Sequence, residues 1–385
     1  VRSMARFEHP TDLAFCEVAL EGKVIAVRRG ARGEKGKLEA TTFATPAAAR
    51  KHHDKLVAGL VKSGYHDPKA AKQKALVAEN EPMLAAIEAD PADESTRLVY
   101  ADWLQTQGDP RGELIVLQQA GQKKKASALI RRHAELWLGS LADKLGHSSS
   151  AMRPDIDLTW HLGFLDRVEL RSSYGVKTVE EVAKLPSARF VRELVLGGTD
   201  DYRAAVRVMD KTRWPACLEK LSIGHQLWGE YLPGSNQTGD VAPLISRSKR
   251  LVELDLTLGS SKLGALDVPR VRRFTLRSGT PTQLAAIAKA KWPALERFGL
   301  HIVENKQLSA LLAAKLAAPN LRELDLHVWR DDQVAMLLAQ LPKAPLMSAI
   351  EKVHVVADAA EYKALAPALR GIKSERIKDP AEASV

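Results

Sequence analysis

At 385 residues, with 45% apolar and 27% charged side chains, the chain has the composition of an ordinary soluble globular protein of two or three domains. Two cysteines, Cys16 and Cys217, exclude a disulfide framework and a thiolate metal cluster and fit a reducing, cytoplasmic setting, while no apolar run approaches the roughly 18 residues of a membrane span. The formal net charge of +10 favours polyanions, but how much it means depends on where it sits.

The first ten residues carry two arginines with no apolar core behind them and do not read as a secretory signal. Residues 1–80 hold 15 Lys or Arg against 9 Asp or Glu, so a fifth of the sequence carries over half of the positive surplus. Residues 14–27 alternate in part around the turn-like Glu21-Gly22 and predict a hairpin. A Gly- and Lys-rich turn over 28–37 and a strand over 38–43 follow. Thr45-Pro46 then supplies an N-cap and a first-turn proline for a helix over 47–62.

Residues 80–146 change to a helical period, with Met83, Leu84 and Ile87 followed by Leu98, Tyr100, Ala101, Trp103 and Leu104. Gly108-Asp109-Pro110 ends one helix and starts another, which leads to a basic helix containing Lys123, Lys124, Lys125, Arg131 and Arg132. Asp93 and Asp109 are suited to cap helices, which is the plain reading of the charged set Arg97, Asp102, Asp109, Arg111 and Glu113. Residues 146–154 read as a linker.

Beyond residue 155 one apolar pattern, L-x-x-L-x-L with conservative swaps, occurs eight times. Its copies are Leu165/Val168/Leu170, Val191/Leu194/Leu196, Leu218/Leu221/Ile223, Leu251/Leu254/Leu256, Val271/Phe274/Leu276, Leu295/Phe298/Leu300, Leu321/Leu324/Leu326 and Ile350/Val353/Val355. Their last positions lie 26, 27, 33, 20, 24, 26 and 29 residues apart. Helical stretches over 176–185, 202–212, 282–291, 307–317 and 333–341 separate them, and residues 228–240, rich in Gly, Pro and Asn, predict a protruding loop. The pattern and its period resemble leucine-rich repeats, which implies a strand and a helix per repeat and a curved solenoid with a parallel sheet on its inner face. The Asn or Cys that usually follows this pattern is missing in most copies, so the bends must be satisfied otherwise and the solenoid is expected to be irregular.

Residues between the apolar positions point away from the core. The position before the middle apolar residue reads Arg167, Glu193, Lys220, Glu253, Arg273, Arg297, Glu323 and Lys352, a row whose signs mostly alternate. Adjacent Arg273 and Arg297, with Arg277, form the positive patch expected to meet an acidic protein partner, and His301 and His327 extend it. His301, His327, His354 and Asp325 use metal-ligand residue types, but equivalent strand positions give a flat array, so exposed histidines and no metal are expected.

Residues 16–37 and 41–65, CEVALEGKVIAVRRGARGEKGK and TTFATPAAARKHHDKLVAGLVKSGY, resemble the WGR-domain family. In that family's DNA-binding members a Trp and an Arg at the hairpin tip contact the nucleic-acid backbone; here the three signature positions are Arg29, Gly30 and Ala31. The cationic loop that remains, Arg28, Arg29, Arg32, Lys35 and Lys37, is the candidate for salt-sensitive, sequence-independent contact with phosphates. Residues 79–118, with RLVYADWL at 97–104 and GDPRGE at 108–113, resemble a bacterial repeat-companion domain found beside leucine-rich repeats, which implies an architecture and no chemistry.

The expected fold is an α+β WGR-like module over 1–70, a short all-α module over 79–146, an irregular α/β solenoid with a parallel sheet over 155–370, and a polar tail over 371–385. No phosphate loop, nucleophile elbow, H-E-x-x-H or dinucleotide motif occurs, so no catalytic residue, metal or cofactor is expected. The expected function is non-enzymatic: the solenoid binds a protein partner, with nucleic-acid association through the basic loop as the alternative and no membrane partner.

Overall fold

The computed structural model describes residues 5–9, 14–31, 34–65, 79–145, 154–225, 237–259, 263–301, 304–328 and 331–378. The chain divides into two compact units, one of residues 1–80 with 102–110 and one of 81–101 with 111–385.

In the first unit, β1 (Ala5–Glu8), β2 (Ala14–Glu21), β3 (Val24–Ala31) and β4 (Lys37–Thr42) form an antiparallel sheet in that order. The β2–β3 hairpin turns at Gly22, whose φ of 58° suits a residue without Cβ. Helix α1 (Pro46–Lys62) starts as its sequence dictates: the Thr45 hydroxyl accepts from Ala48 N–H at 3.2 Å and Pro46 fills the first turn. One face of the sheet packs Phe7, Cys16, Val18 and Ile25 against Ala49, Leu56 and Leu60 of α1.

The second unit begins with α2 (Glu81–Ala89) and the first part of α3 (Glu94–Thr106), and continues with α4 (Arg111–Gln119), α5 (Lys123–Arg132) and α6 (Ala134–Leu138). Asp93 starts α3, taking the Ser95 N–H and the Ser95 and Thr96 hydroxyls; these hydrogen bonds hold its carboxyl down at about 2. A ten-stranded sheet follows in unbroken chain order: β5 (Ile156–His161), β6 (Phe164–Leu170), β7 (Glu193–Gly197), β8 (Lys220–His225), β9 (Glu253–Thr257), β10 (Arg273–Ser278), β11 (Arg297–Leu300), β12 (Glu323–His327), β13 (Lys352–Val356) and β14 (Lys373–Ile377). β5 runs antiparallel to β6 and every later pair is parallel. Helices that include α7 (Ser172–Lys177), α8 (Val179–Ala183), α9 (Arg203–Asp210), α10 (Ala242–Arg247), α11 (Pro281–Lys289), α12 (Asn305–Ala313), α13 (Asp331–Gln340) and α14 (Ala359–Leu365) connect the parallel strands. The chain is therefore a mixed α/β structure with a mostly parallel ten-stranded sheet and a small antiparallel sheet at its N-terminal end.

The repeated apolar positions of the sequence lie in register. Val168, Leu194, Leu221, Leu254, Phe274, Phe298, Leu324 and Val353 stand side by side in neighbouring strands, and all are buried. They share one core with the connecting helices and with Leu114, Leu129, Trp137 and Leu141 of the preceding helical segment. Trp214 and Trp292, each followed by proline, fill gaps in it and donate their indole N–H to Ala188 and Ile287 carbonyls at 2.8 and 3.0 Å.

The missing bend asparagines are replaced by main-chain bonds and hydroxyls. Before successive strands Glu219 N–H donates to Arg192, Val252 to Glu219, Arg272 to Val252, Glu296 to Arg272 and Arg322 to Glu296. After them Thr257 donates its hydroxyl to the Gly224 carbonyl at 2.9 Å, and Ser278 to the Leu258 carbonyl at 2.6 Å.

One expectation is corrected. Residues 371–385 are not simply a polar tail, because Lys373–Ile377 adds β14 beside β13, its charged side chains suiting an edge strand. The linker residues 146–153, the loop residues 226–236 and the terminal residues 379–385 lie outside the described residues.

Candidate interaction face

The face of the ten-stranded sheet turned away from the apolar core carries the alternating charged row, and the register makes its members direct neighbours. Arg167 meets Glu193, Glu193 meets Lys220, Lys220 meets Glu253 and Glu253 meets Arg273; Arg273 then meets Arg297, Arg297 meets Glu323 and Glu323 meets Lys352. Ion pairs follow that order, with Arg167–Glu193 at 2.8 Å, Lys220–Glu253 at 3.7 Å, Arg273–Glu253 at 3.6 Å and Arg297–Glu323 at 3.5 Å. Two shallow grooves open between these side chains. One of about 330 Å³ is lined by Glu253, Arg273, Arg297 and Glu323, and one of about 240 Å³ by Arg167, Glu193, Lys220 and Asp255.

The expected positive patch is largely neutralised. Arg277 donates to both carboxylate oxygens of Asp255 at 2.9 and 2.8 Å, and Arg297 donates to Asp325 at 2.8 and 2.7 Å. The spacing that exposed the charged row also placed these aspartates, two residues beyond Glu253 and Glu323, on the same strand face. Arg273, with nearly half its side chain exposed and its carboxylate at 3.6 Å, is the most open of the three arginines.

The histidines are not exposed as expected. His327 and His354 are buried, and His301 meets His327 edge-on with ring centroids 5.2 Å apart. Burial, reinforced by neighbouring Arg277, holds the His301 pKa well below its ordinary value, and its Nδ1 lies 3.1 Å from Arg277 Nη1. His354 lies between two carboxylates, 2.6 Å from Glu375 and 2.8 Å from Glu323, and its bond lowers the Glu323 pKa. Among the described residues no three His, Cys, Asp or Glu side chains are grouped to hold a metal ion. The Cys217 thiol is buried and pushed up to about 11, so it is held in the unreactive form.

The cations of 97–111 have a role the sequence left hidden. Arg97 and Arg111 are almost fully buried, stacked 5.8 and 5.7 Å from the Phe164 ring, and Arg97 also lies 5.3 Å from Phe190. Burial lowers the Arg97 pKa to about 10.

In the first unit, Arg28 is tied to Glu17 at 3.1 Å and Lys37 to Glu39 at 3.0 Å. Arg29 and Lys35 are exposed and hold no ion pair among the described residues; Arg32 lies outside them. At Gly30 a Cβ would lie 2.8 Å from Gly36 Cα and 3.1 Å from the Phe15 ring. No helix among the described residues is long and apolar enough to cross a membrane.

No protein-family model matches the chain, and no curated protein matches it. Among solved structures, a Bacteroides fragilis protein determined as a structural-genomics target is 13% identical, with 98% of this chain and 92% of that chain covered and a TM-score of 0.43. A likeness of that size carries no argument about this chain.

Proposed function

We propose that the chain is a non-enzymatic interaction protein, a leucine-rich-repeat-like solenoid with a repeat-companion segment at its leading end and a WGR-like accessory module, which holds a protein partner on its strand face. One observation carries this reading: eight copies of one sequence pattern stand in continuous parallel register, burying their apolar positions and leaving a row of charged side chains uncovered. Paired charges favour a partner whose own charges are interspersed, since a row that neutralises itself contributes specificity more than raw attraction.

Photo-crosslinking tests it. A photoreactive residue at position 220 or 273 should capture a partner in cells, and one at position 289, on α11 behind the sheet, should not. Capture from position 289 alone would remove the strand face from consideration.

Arg29 and Lys35, exposed and without an ion pair among the described residues, favour one second reading, salt-sensitive contact of the WGR-like loop with a nucleic-acid backbone. A DNA titration of the whole chain at low salt, compared with an R29E/K35E variant, tests it. Equal binding by the two removes that reading.

A further inference from the structure

β5 is the leading edge of the ten-stranded sheet, and its outer side opens into a groove of about 710 Å³ between that edge and α5. Ile130, Leu138, Leu145, Leu158 and Trp160 give the groove an apolar lining. The main-chain groups along it can be assigned. Arg171 N–H donates to the Asp155 carbonyl at 2.7 Å, so Asp155 turns its peptide groups toward β6. Antiparallel alternation then turns the N–H and C=O of Ile156 and Leu158 outward, to the open edge. The Trp160 carbonyl points the same way and is closed off by the Gln118 amide at 3.2 Å, which ends the available edge on that side.

The charges around the groove differ from those of the strand face. Lys123 and Arg131 border it, both exposed and without an ion pair among the described residues, and Lys124, Lys125 and Arg132 stand on the same short helix. The one carboxylate in its wall among the described residues, Asp157, already lies 3.5 Å from Arg171 and 4.0 Å from Arg167. Arg167, Lys220, Arg273, Arg277 and Arg297 on the strand face each lie beside a carboxylate; Lys123 and Arg131 do not among the described residues.

We propose that this edge groove is a peptide-docking site, taking an extended segment of a partner protein that adds a strand to β5, sets apolar side chains at alternate positions into the groove, and carries carboxylates that meet Lys123 and Arg131. The three features needed for strand addition coincide: outward main-chain donors and acceptors at Ile156 and Leu158, an apolar trough for every second side chain, and, among the described residues, rim cations without an ion pair. The site is separate from the strand face and does not depend on it.

Selection of a random dodecapeptide display library on the full chain, followed by anisotropy titration of the enriched peptides, tests the proposal. Enrichment of acidic sequences with apolar residues at alternate positions is expected. Their Kd should rise at least tenfold in a K123E/R131E variant, whose exposed substitutions leave the core untouched, and should be unchanged in K220E on the strand face. Hydrogen exchange at the Ile156 and Leu158 amides should slow when peptide binds. The proposal is overturned if no such sequences enrich, if K123E/R131E binds them as tightly, or if these amides are already protected in the free chain, whether by its own residues or by a second copy.

Discussion

Asp325 shows what the charged row left out. Its carboxylate, mostly buried, takes the Arg297 Nε–H in a bifurcated bond at 2.8 and 2.7 Å, so the pair is worth more than an exposed surface bridge. Asp325→Asn should lower unfolding stability by about 1–3 kcal/mol in urea denaturation, because it leaves a half-buried guanidinium with only Glu323 at 3.5 Å. An unchanged midpoint would show that Glu323 suffices. His301 is the corresponding site for pH. Its folded pKa is depressed, so below about 6.5 the unfolded chain takes up a proton that the folded chain refuses. The stability tied to this ring is therefore full above that pH and is lost as pH falls below it, at no more than about 1.4 kcal/mol per pH unit. His301→Gln should flatten the change in urea midpoint between pH 7.5 and 5.5, whereas equal slopes in both proteins would assign the acid sensitivity to other groups.

Gly30 connects residue to element, because the β2–β3 hairpin can approach the chain at Gly36 only where no side chain intervenes. Gly30→Ala places a methyl against backbone and should cost about 1–3 kcal/mol, read as a lower melting temperature of the whole chain. A stability equal to wild type would mean the loop gives way. Elements whose signals are local were legible from sequence: Thr45-Pro46 for the start of α1, Glu21-Gly22 for the hairpin and, in the second unit, the triplet of lysines for α5. β5 and β14 were not. β5 carries no repeated pattern and exists by pairing with β6, and β14 is a charged pentapeptide whose strand state comes from the edge it covers. The buried Arg97 and Arg111 were hidden for the same reason, since the rings that stack on them, Phe164 and Phe190, lie far along the chain.

At the scale of the whole sheet, a series of parallel strands must end somewhere, and its two ends are built differently. The periodic apolar pattern showed how the strands between them align, since a shift by one residue would turn every leucine to the wrong face. It held no information about the edges. At the β5 end no strand among the described residues pairs with the outer main chain, which lies beside an apolar groove; at the other end β14 covers β13 and presents Lys373, Glu375 and Arg376. Glu375 also bonds Lys352 at 3.0 Å and His354 at 2.6 Å, and Arg376 donates to the Ala357 carbonyl at 2.9 Å, so the strand is fastened as well as paired. Truncation after residue 371 would expose the β13 edge, Lys-Val-His-Val-Val, a β-branched segment with one formal charge. The truncated chain should self-associate, seen as a concentration-dependent rise in mass by light scattering while the full chain stays constant. Replacing Val356 by Lys in the truncated chain should reduce that rise, since a charge on a bare edge opposes strand pairing between copies. If truncation leaves the mass unchanged, the β13 edge is protected by other means and β14 serves only to hold His354 and Lys352 in place.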